Sequence, residues 1–217
     1  MAKIRAVIFD MDGTLLDSME LIYRAFEDVL NNNGVKKSRK HIAAVTGKPV
    51  QAMYKLLAPK LDELEMEKQH HSHHKNNMHL LAAYDHANEL LTYLKERNIR
   101  MGIFTGFDEK THDRLLAVGI NGYFDSVVEC TRYKNHKPDP EGLYIAMKDL
   151  GIKNASEIIY VGDARVDIEA GIKAGVNITI GVSHGFASKA ELVSAGADYV
   201  VGSLSEMLQL FKDKELV

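Results

Sequence analysis

The chain has very little cysteine and no long hydrophobic run. Cys130 is the one cysteine among 217 residues, so no internal disulfide can form and a disulfide-stabilised secreted scaffold is excluded. No apolar stretch approaches the roughly 20 residues that a membrane-spanning helix needs. Asp10 and Asp12 interrupt the apolar run nearest the amino terminus, which argues against a signal peptide. These absences predict a cytoplasmic protein that does not act at a membrane.

The chain also lacks a large excess of charge of either sign. It carries 27 Lys and Arg residues against 30 Asp and Glu residues, for a formal net charge of −3. Charges of both signs are mixed along the sequence, so there is no basic surface of the kind that binds nucleic acid. Hydrophobic residues make up 46% of the chain, enough for an ordinary buried core. The length suits one large domain, or one domain with a smaller insertion.

What is present is an alternation of short apolar runs with amphipathic stretches. This alternation predicts an α/β fold, in which helices cover both faces of a doubly wound parallel sheet. Strands are predicted at 4–9, 101–105, 126–129, 158–161, 178–182 and 199–201. Helices are predicted between them at 86–97, 109–118, 140–150, 166–174 and 189–195.

One connection is much longer than the others. Asp10 and Thr105 are 95 positions apart, whereas Thr105 and Lys137 are 32 positions apart. A simple strand–helix–strand unit takes about 30 residues, so roughly 60 residues are surplus. The surplus has helical character at 19–30, 50–57 and 61–81. We therefore predict a helical cap domain at 18–81, inserted into an α/β core formed by 1–17 and 82–217.

The segment DMDGTL at 10–15 places two carboxylates two residues apart, where the first apolar strand ends. That strand is apolar on both faces, as a central strand of a parallel sheet is. Ligands of such sheets bind at the carboxyl ends of the strands. Asp10 and Asp12 are therefore candidates to hold a divalent cation and to meet a phosphate. The alternative is a solvated turn, because Asp and Gly are common turn residues.

Three further motifs follow at predicted strand ends. Thr105 and Gly106 could offer an anion a hydroxyl group and closely approaching backbone amides. Lys137 directly precedes a proline-marked helix start and would project toward the strand ends. Asp163 ends another apolar strand, and Asp167 lies at the beginning of the helix that follows, where a carboxylate favours the helix dipole.

Together these residues suit phosphoryl transfer at a magnesium ion. Mg²⁺ prefers oxygen ligands and is usually held by one or two carboxylates plus phosphate. Asp10, Asp163 and a backbone carbonyl near Asp12 could supply such ligands. Lys137 could neutralise charge on the phosphoryl group. One carboxylate could also act as a nucleophile that forms an aspartyl-phosphate, while the second carboxyl group moves the proton.

These motifs, in this order and with a long insertion after the first, resemble the haloacid dehalogenase superfamily. More narrowly, the chain resembles the phosphatases of that superfamily with a small helical cap, the phosphoglycolate phosphatase and pyrophosphatase-like group. The resemblance covers almost the whole chain and includes the segments GKP at 47–49 and GVSHG at 181–185. It implies a Mg²⁺-dependent phosphohydrolase that cleaves a small phosphorylated metabolite, such as phosphoglycolate, pyrophosphate or a sugar phosphate.

The resemblance also implies a role for each motif residue. Asp10 would be the nucleophile and Asp12 the general acid and base. Thr105 and Lys137 would bind the phosphoryl group. The metal ligands would come from Asp10, Asp12 and Asp163.

Further residues are expected around this centre. Asp167 would support the metal site from close by. Gly106 stands where many relatives carry asparagine and remains a candidate for phosphate binding through its backbone. Lys48, in a cap loop, would reach an anionic substrate when the cap lowers. We expect the histidine cluster at 70–74 to lie on a solvated face of a cap helix, although the spacing of its first and last members could also suit a transition metal.

Two other functions stay open. A sugar phosphomutase resembling beta-phosphoglucomutase would use the same nucleophile, but Ile22 stands where phosphomutase relatives carry a histidine, which disfavours this alternative. A non-catalytic receiver-like or ligand-binding module also combines acids, a threonine, a lysine and Mg²⁺ on a doubly wound sheet. Such a module needs neither the paired acids of the first motif nor a long cap. Dehalogenation is disfavoured because dehalogenase relatives lack the second carboxylate, which Asp12 supplies here.

Overall fold

A parallel sheet forms the centre of the molecule, as a computed structural model of residues 3–107 and 110–217 describes it. The strands are β1 (Ala6–Phe9), β2 (Leu16–Asp17), β3 (Ala82–Ala83), β4 (Arg100–Phe104), β5 (Ser126–Val128), β6 (Ile158–Gly162), β7 (Ile178–Val182) and β8 (Tyr199–Val201). Six of them pair in parallel in the order β5–β4–β1–β6–β7–β8. The strand β1 is central, and the predicted doubly wound α/β fold is confirmed.

The described helices are α1 (Met19–Asn32), α2 (Arg39–Ala43), α3 (Val50–Leu57), α4 (Glu63–Asn76), α5 (Ala87–Glu96), α6 (Thr111–Ala117), α7 (Glu141–Asp149), α8 (Arg165–Ala174), α9 (Lys189–Ser194) and α10 (Leu204–Asp213). Side chains of β1 alternate between the two faces of the sheet. Val7 and Phe9 pack in one core with α5, α6 and α10, whereas Ala6 and Ile8 pack in another with α7 and α8. None of the described helices combines the length and apolar character required to cross a bilayer.

The long insertion folds around a hydrophobic cluster of its own. Helices α1 to α4 contribute to that cluster, with Phe26, Tyr54 and Met66 among its buried members. The two chain segments that connect it with the rest of the molecule pair as the antiparallel strands β2 and β3. A separate cluster reached by two adjacent linkers is what a cap domain requires. We therefore propose 18–81 as the cap and 1–17 with 82–217 as the core.

Some elements differ from the prediction. The helix α10 was not predicted, although its sequence carries the necessary signals. Its buried residues Leu204, Met207 and Phe211 recur at helical spacing, and the Ser203 hydroxyl accepts a hydrogen bond from the Glu206 backbone N–H.

The cap helices also depart from the predicted bounds. The stretch predicted as helical at 61–81 is α4 followed by a short 3₁₀ turn at Met78–Leu80. Helix α2 and the linker strands β2 and β3 were not predicted, because five-residue and two-residue elements are too short to show periodicity. The predicted start of the helix at 109–118 falls on Glu109, which lies outside the described residues.

A close contact between α7 and β4 gives a test of packing next to the strand ends. A Cβ atom at Gly142 would lie 2.6 Å from Cδ2 and 2.7 Å from Cζ of the buried Phe104 ring. We predict that Gly142→Ala lowers the free energy of unfolding by about 1–3 kcal/mol, because overpacking outweighs the usual helical advantage of alanine. Urea denaturation measures the change. Gly122→Ala is the control, since no heavy atom lies within 4 Å of its Cβ position; equal stability of the two variants would contradict the prediction.

Candidate active site

Three neighbouring strands bring the predicted site residues to one edge of the sheet. Asp10 follows β1, Thr105 follows β4 and Asp163 follows β6, and β1 lies between the other two strands. The pairing continues past the strand end, since the Asp10 N–H donates to the Val161 carbonyl at 2.8 Å. All three side chains are buried. Because the three strands run parallel, the residues that follow them meet at the same end of the sheet.

Lys137 connects two of the carboxylates. Its amine donates to Oδ1 of Asp10 and to Oδ1 of Asp167, each at 2.7 Å. Burial by itself opposes the charged amine, but the two carboxylates raise the pKa of Lys137 well above its usual value. The ammonium nitrogen also lies 4.6 Å from the centroid of the Phe104 ring. Lys137 is therefore a fixed, buried positive charge beside Asp10.

Both carboxylate oxygens of Asp167 are hydrogen-bonded. Besides Lys137, Oδ1 accepts the Tyr160 hydroxyl at 2.9 Å. Oδ2 accepts the backbone N–H of Ala164 at 3.0 Å, at the beginning of α8. This arrangement suits a residue that holds Lys137 in position.

Asp163 is held by two donors in a confined space. The Thr14 hydroxyl donates to Oδ1 at 3.1 Å, and the Phe186 backbone N–H donates to Oδ2 at 2.7 Å. A Cβ atom at Gly13 would lie 2.8 Å from Cγ of Asp163, and one at Gly185 would lie 2.5 Å from it. Gly13 also has a φ of +78°, which glycine adopts without strain. The glycine in the first motif therefore makes room for the carboxylate of the fourth.

Asp10, Asp163 and Asp167 form a carboxylate triangle. Each contributes an oxygen that lies within 4.8 Å of the other two. Burial raises the pKa of Asp10 to about 7, although Lys137 opposes this effect. Burial and the two neighbouring carboxylates raise the pKa of Asp163 well above its usual value. Such a cluster favours a bound cation, and buried carboxylate oxygens are the donors that Mg²⁺ takes, so the donor set fits a magnesium ion.

Asp12 is paired with an arginine that was not predicted from the sequence. The Arg114 guanidinium, on α6, donates from Nη1 to Oδ2 of Asp12 at 2.9 Å and from Nη2 to Oδ1. Burial opposes ionisation, but Arg114 holds the pKa of Asp12 below its usual value. Arg114 is itself buried, and its guanidinium carbon lies 4.3 Å from the Phe107 ring centroid. Asp12 is thus an ionised carboxylate in a fixed orientation.

A cavity of about 50 Å³ lies between the strand ends and the cap helices. Lys137 lies next to the cavity, because its amine is hydrogen-bonded to Asp10 and Asp167, which line it. The cap loop approaches closely, since a Cβ atom at Gly106 would lie 3.1 Å from the Gly47 carbonyl oxygen. The predicted site residues that line the cavity are Asp10, Asp12, Lys48, Thr105, Gly106, Asp163 and Asp167.

The expectation that the histidine cluster is solvated is wrong for two of its members. His70 and His74 are 1% and 4% exposed, and their rings stack with centroids 4.5 Å apart. They follow Met66 at four-residue intervals, so the three side chains share one buried face of α4. Within residues 3–107 and 110–217 the histidines do not form a three-ligand metal group. His70 instead lines the cavity.

Comparison with known proteins identifies the family. The sequence profile described as haloacid dehalogenase-like hydrolase matches residues 7–181. The chain belongs to this hydrolase family. Among curated relatives of this hydrolase, the pyrophosphatase PpaX of Bacillus velezensis is 31% identical over 96% of this chain and 96% of its own length. The resemblance inferred from the motifs is confirmed.

Solved structures of related proteins share the architecture of this hydrolase. A predicted phosphatase from Clostridium acetobutylicum is 27% identical, with a TM-score of 0.82 over 98% of this chain and 100% of that one. A beta-phosphoglucomutase from Clostridium difficile has a TM-score of 0.86 over 98% of this chain and 97% of that one, at 21% identity. At that identity the likeness shows the fold alone.

Several contacts of the hydrolase site had only weak signals in the sequence, or none. Arg114 shares the buried side of α6 with Thr111 and Leu115, and an arginine in such a stripe is an indication of a buried ion pair. Tyr160 lies within an apolar strand, where the sequence gives no sign of its hydrogen bond to Asp167. Phe186 contributes its backbone N–H to Asp163, and no residue type signals such a contact.

Removing Arg114 tests the importance of its pair with Asp12. We predict that Arg114→Met lowers the free energy of unfolding by about 3 kcal/mol or more, because a largely buried carboxylate is left unpaired. Urea denaturation measures the loss. Arg165→Met, at an exposed arginine whose ion pair with Glu169 is 3.6 Å long, is the control and should change stability by less than about 0.5 kcal/mol. Adding Asp12→Asn to Arg114→Met should recover part of the loss; a loss that is unaffected by Asp12→Asn would contradict the pairing.

Proposed function

We propose that this hydrolase is a Mg²⁺-dependent phosphohydrolase that cleaves a small phosphorylated metabolite through an aspartyl-phosphate intermediate. The observation that supports this most is the carboxylate triangle of Asp10, Asp163 and Asp167, with Lys137 bonded to Asp10. Phosphoryl transfer depends on positioning and on electrostatic stabilisation. A carboxylate nucleophile, a fixed cation beside it and oxygen ligands for a metal supply both.

Asp10 is the proposed nucleophile. One of its oxygens is bonded to Lys137, and the carboxylate would attack phosphorus while the bond from phosphorus to the leaving oxygen breaks. The leaving oxygen takes up a proton. Water then cleaves the aspartyl-phosphate, which releases orthophosphate and restores the carboxylate. Thr105 and the backbone at Gly106 line the same cavity and would hold the phosphoryl oxygens.

Asp12 is the proposed proton carrier. Paired with Arg114 it is ionised, and in that state it can accept a proton from the water that attacks the intermediate. Giving a proton to the leaving group requires the neutral carboxyl group, which Arg114 disfavours. The pair must therefore loosen for the acid step.

The metal would be held by Asp10, Asp163 and the backbone carbonyl of Asp12. When bound, it would neutralise charge on the transferring phosphoryl group. The side chains of Asp10, Asp12, Asp163 and Asp167 carry four negative charges when ionised. The buried cations Lys137 and Arg114 balance two of these charges, which leaves two for a divalent ion. Asp167 would support this centre by holding Lys137.

The cap would enclose the site and help to select the substrate. Lys48 lines the cavity and would contact an anionic substrate. The small cavity favours a compact molecule. Because the PpaX relative is named a pyrophosphatase, pyrophosphate is the first substrate to test, followed by phosphoglycolate and sugar phosphates. A closed cap would also limit the access of water during phosphoryl transfer.

Replacing the proposed nucleophile tests the covalent mechanism. We predict that Asp10→Asn lowers turnover of any substrate by at least about 10³-fold, because an amide does not form the phosphorylated intermediate. Phosphate release from pyrophosphate and phosphoglycolate measures turnover, and circular dichroism checks the fold. Asp213→Asn, at an exposed position of α10, should leave turnover unchanged. Near-normal turnover in Asp10→Asn would exclude this mechanism.

Metal removal has a readout that does not depend on turnover. We predict that adding Mg²⁺ to EDTA-treated protein raises the melting temperature by about 5 °C at saturating concentrations, because the cation relieves repulsion among the carboxylates. Turnover should fall with EDTA and return with Mg²⁺. Asp163→Asn should lose most of the thermal shift, whereas Asp113→Asn, at an exposed aspartate, should keep it. If adding Mg²⁺ does not change the melting temperature of the wild-type protein, the proposed metal site is wrong.

A sugar phosphomutase is the second candidate, because it would use the same nucleophile, Asp10, beside the same buried lysine. Ile22 lines the cavity, and its side chain cannot exchange a proton as a histidine would. We therefore predict that incubation with sugar phosphates releases orthophosphate. Formation of an isomeric sugar phosphate without phosphate release would instead identify a mutase. A stable phosphorylated protein that releases no phosphate would identify the receiver-like module.

A further inference from the structure

Among the cavity-lining residues that the described cap helices contribute, His70 is the one polar side chain, while Thr46 and Lys48 come from a cap loop. The cap contributes Ile22, Phe26, Val50 and Met53 to the cavity lining, together with the imidazole of His70. His70 is buried on α4, and its ring lies against Phe26, with centroids 4.6 Å apart. The residues proposed above for phosphoryl transfer all belong to the core, and that chemistry gives His70 no role.

The hydrogen bond to Tyr54 indicates which ring nitrogen of His70 carries the proton. The buried Tyr54 hydroxyl lies 2.9 Å from Nδ1 of His70 and has no other hydrogen-bond partner in the part of the chain that the structure describes. A buried hydroxyl donates where it can, and Nδ1 is the available acceptor. Burial lowers the pKa of His70 well below its usual value, so the ring is neutral. Its one proton is then on Nε2.

A neutral N–H in an apolar wall requires an acceptor, because an unpaired buried donor is costly. Because Nδ1 is occupied by Tyr54, Nε2 is the ring nitrogen of His70 that is available to a ligand in the cavity. The acceptor in that position would belong to the part of the substrate opposite the core residues. That part is the one that leaves when Asp10 takes the phosphoryl group.

We propose that His70 is a specificity-determining residue, whose Nε2–H donates to an oxygen of the leaving portion of the substrate. This inference rests on the proposed function and names its substrate class: compact phosphorylated molecules whose leaving portion carries an anionic oxygen. A second phosphoryl group and a carboxylate both present such an oxygen. Lys48 lines the same cavity and would supply the opposite charge.

The test uses two substitutions that separate the two ring nitrogens. In His70→Asn the amide can occupy the place of Nδ1 and keep the contact with Tyr54, but it does not reach the place of Nε2. In His70→Gln the longer amide can donate from the place of Nε2. His79→Asn, at an exposed histidine, is the matched control. Circular dichroism and melting temperatures establish that the variants fold.

Binding is measured by calorimetry in the Asp10→Asn background with Mg²⁺, where substrates are not consumed. The ligands are pyrophosphate, phosphoglycolate and ethyl phosphate, the last of which lacks an anionic oxygen in its leaving portion. We expect His70→Asn to weaken binding of pyrophosphate, phosphoglycolate or both by about 10- to 100-fold, the range for a hydrogen bond to a charged group. Ethyl phosphate should change less than about threefold, and His70→Gln should restore most of the loss.

The pattern of losses identifies the acceptor. A loss for pyrophosphate alone indicates a phosphoryl oxygen, and a loss for phosphoglycolate alone indicates a carboxylate. Equal losses for all three ligands, no loss for any, or no binding of any ligand to the His79→Asn control would overturn the inference. Turnover by the wild-type protein is read separately, so a failure of the proposed phosphohydrolase activity is distinguishable from a failure of the role of His70.

Discussion

The contact of Lys137 with Asp10 and Asp167 is the interaction on which the site depends. It joins three segments that follow different strands, and all three side chains are almost completely removed from water. A buried ion pair has a large desolvation cost and is favourable only when each partner is well hydrogen-bonded. Tyr160 and the Ala164 backbone complete the bonding of Asp167. The result is a rigid cation beside Asp10, whose burial raises its pKa and whose contact with Lys137 opposes that rise.

The carboxylates outnumber the cations in this buried region, and this imbalance links stability with chemistry. Asp163 has hydrogen-bond donors but no cationic partner among the described residues, and burial together with the neighbouring acids raises its pKa. A bound divalent ion would remove that repulsion and would at the same time polarise a phosphate. The glycines at 13 and 185 permit the close packing that brings the acids together. The same feature that makes the metal-free site electrostatically unfavourable therefore makes it suitable for a magnesium ion.

The parts of the fold that could be predicted were those with a local signal. Apolar runs ended close to where β1, β4 and β6 end, so Asp10, Thr105 and Asp163 were correctly placed at strand ends. The buried face of α4 was misread because its members are histidines, which composition assigns to a solvated surface. Burial there depends on the Tyr54 hydroxyl and on stacked rings, which are contacts between elements.

The amino-acid sequence by itself determined the strand–helix alternation, the long insertion and the kind of chemistry at each strand end. It could do so because periodicity and chain direction are properties of neighbouring residues. Only the tertiary structure decided which charges meet. Arg114 pairs with Asp12 across 102 positions, and Lys137 pairs with Asp10 across 127. Such pairs depend on how each helix and loop is oriented over the sheet, and that orientation results from the packing of the whole core.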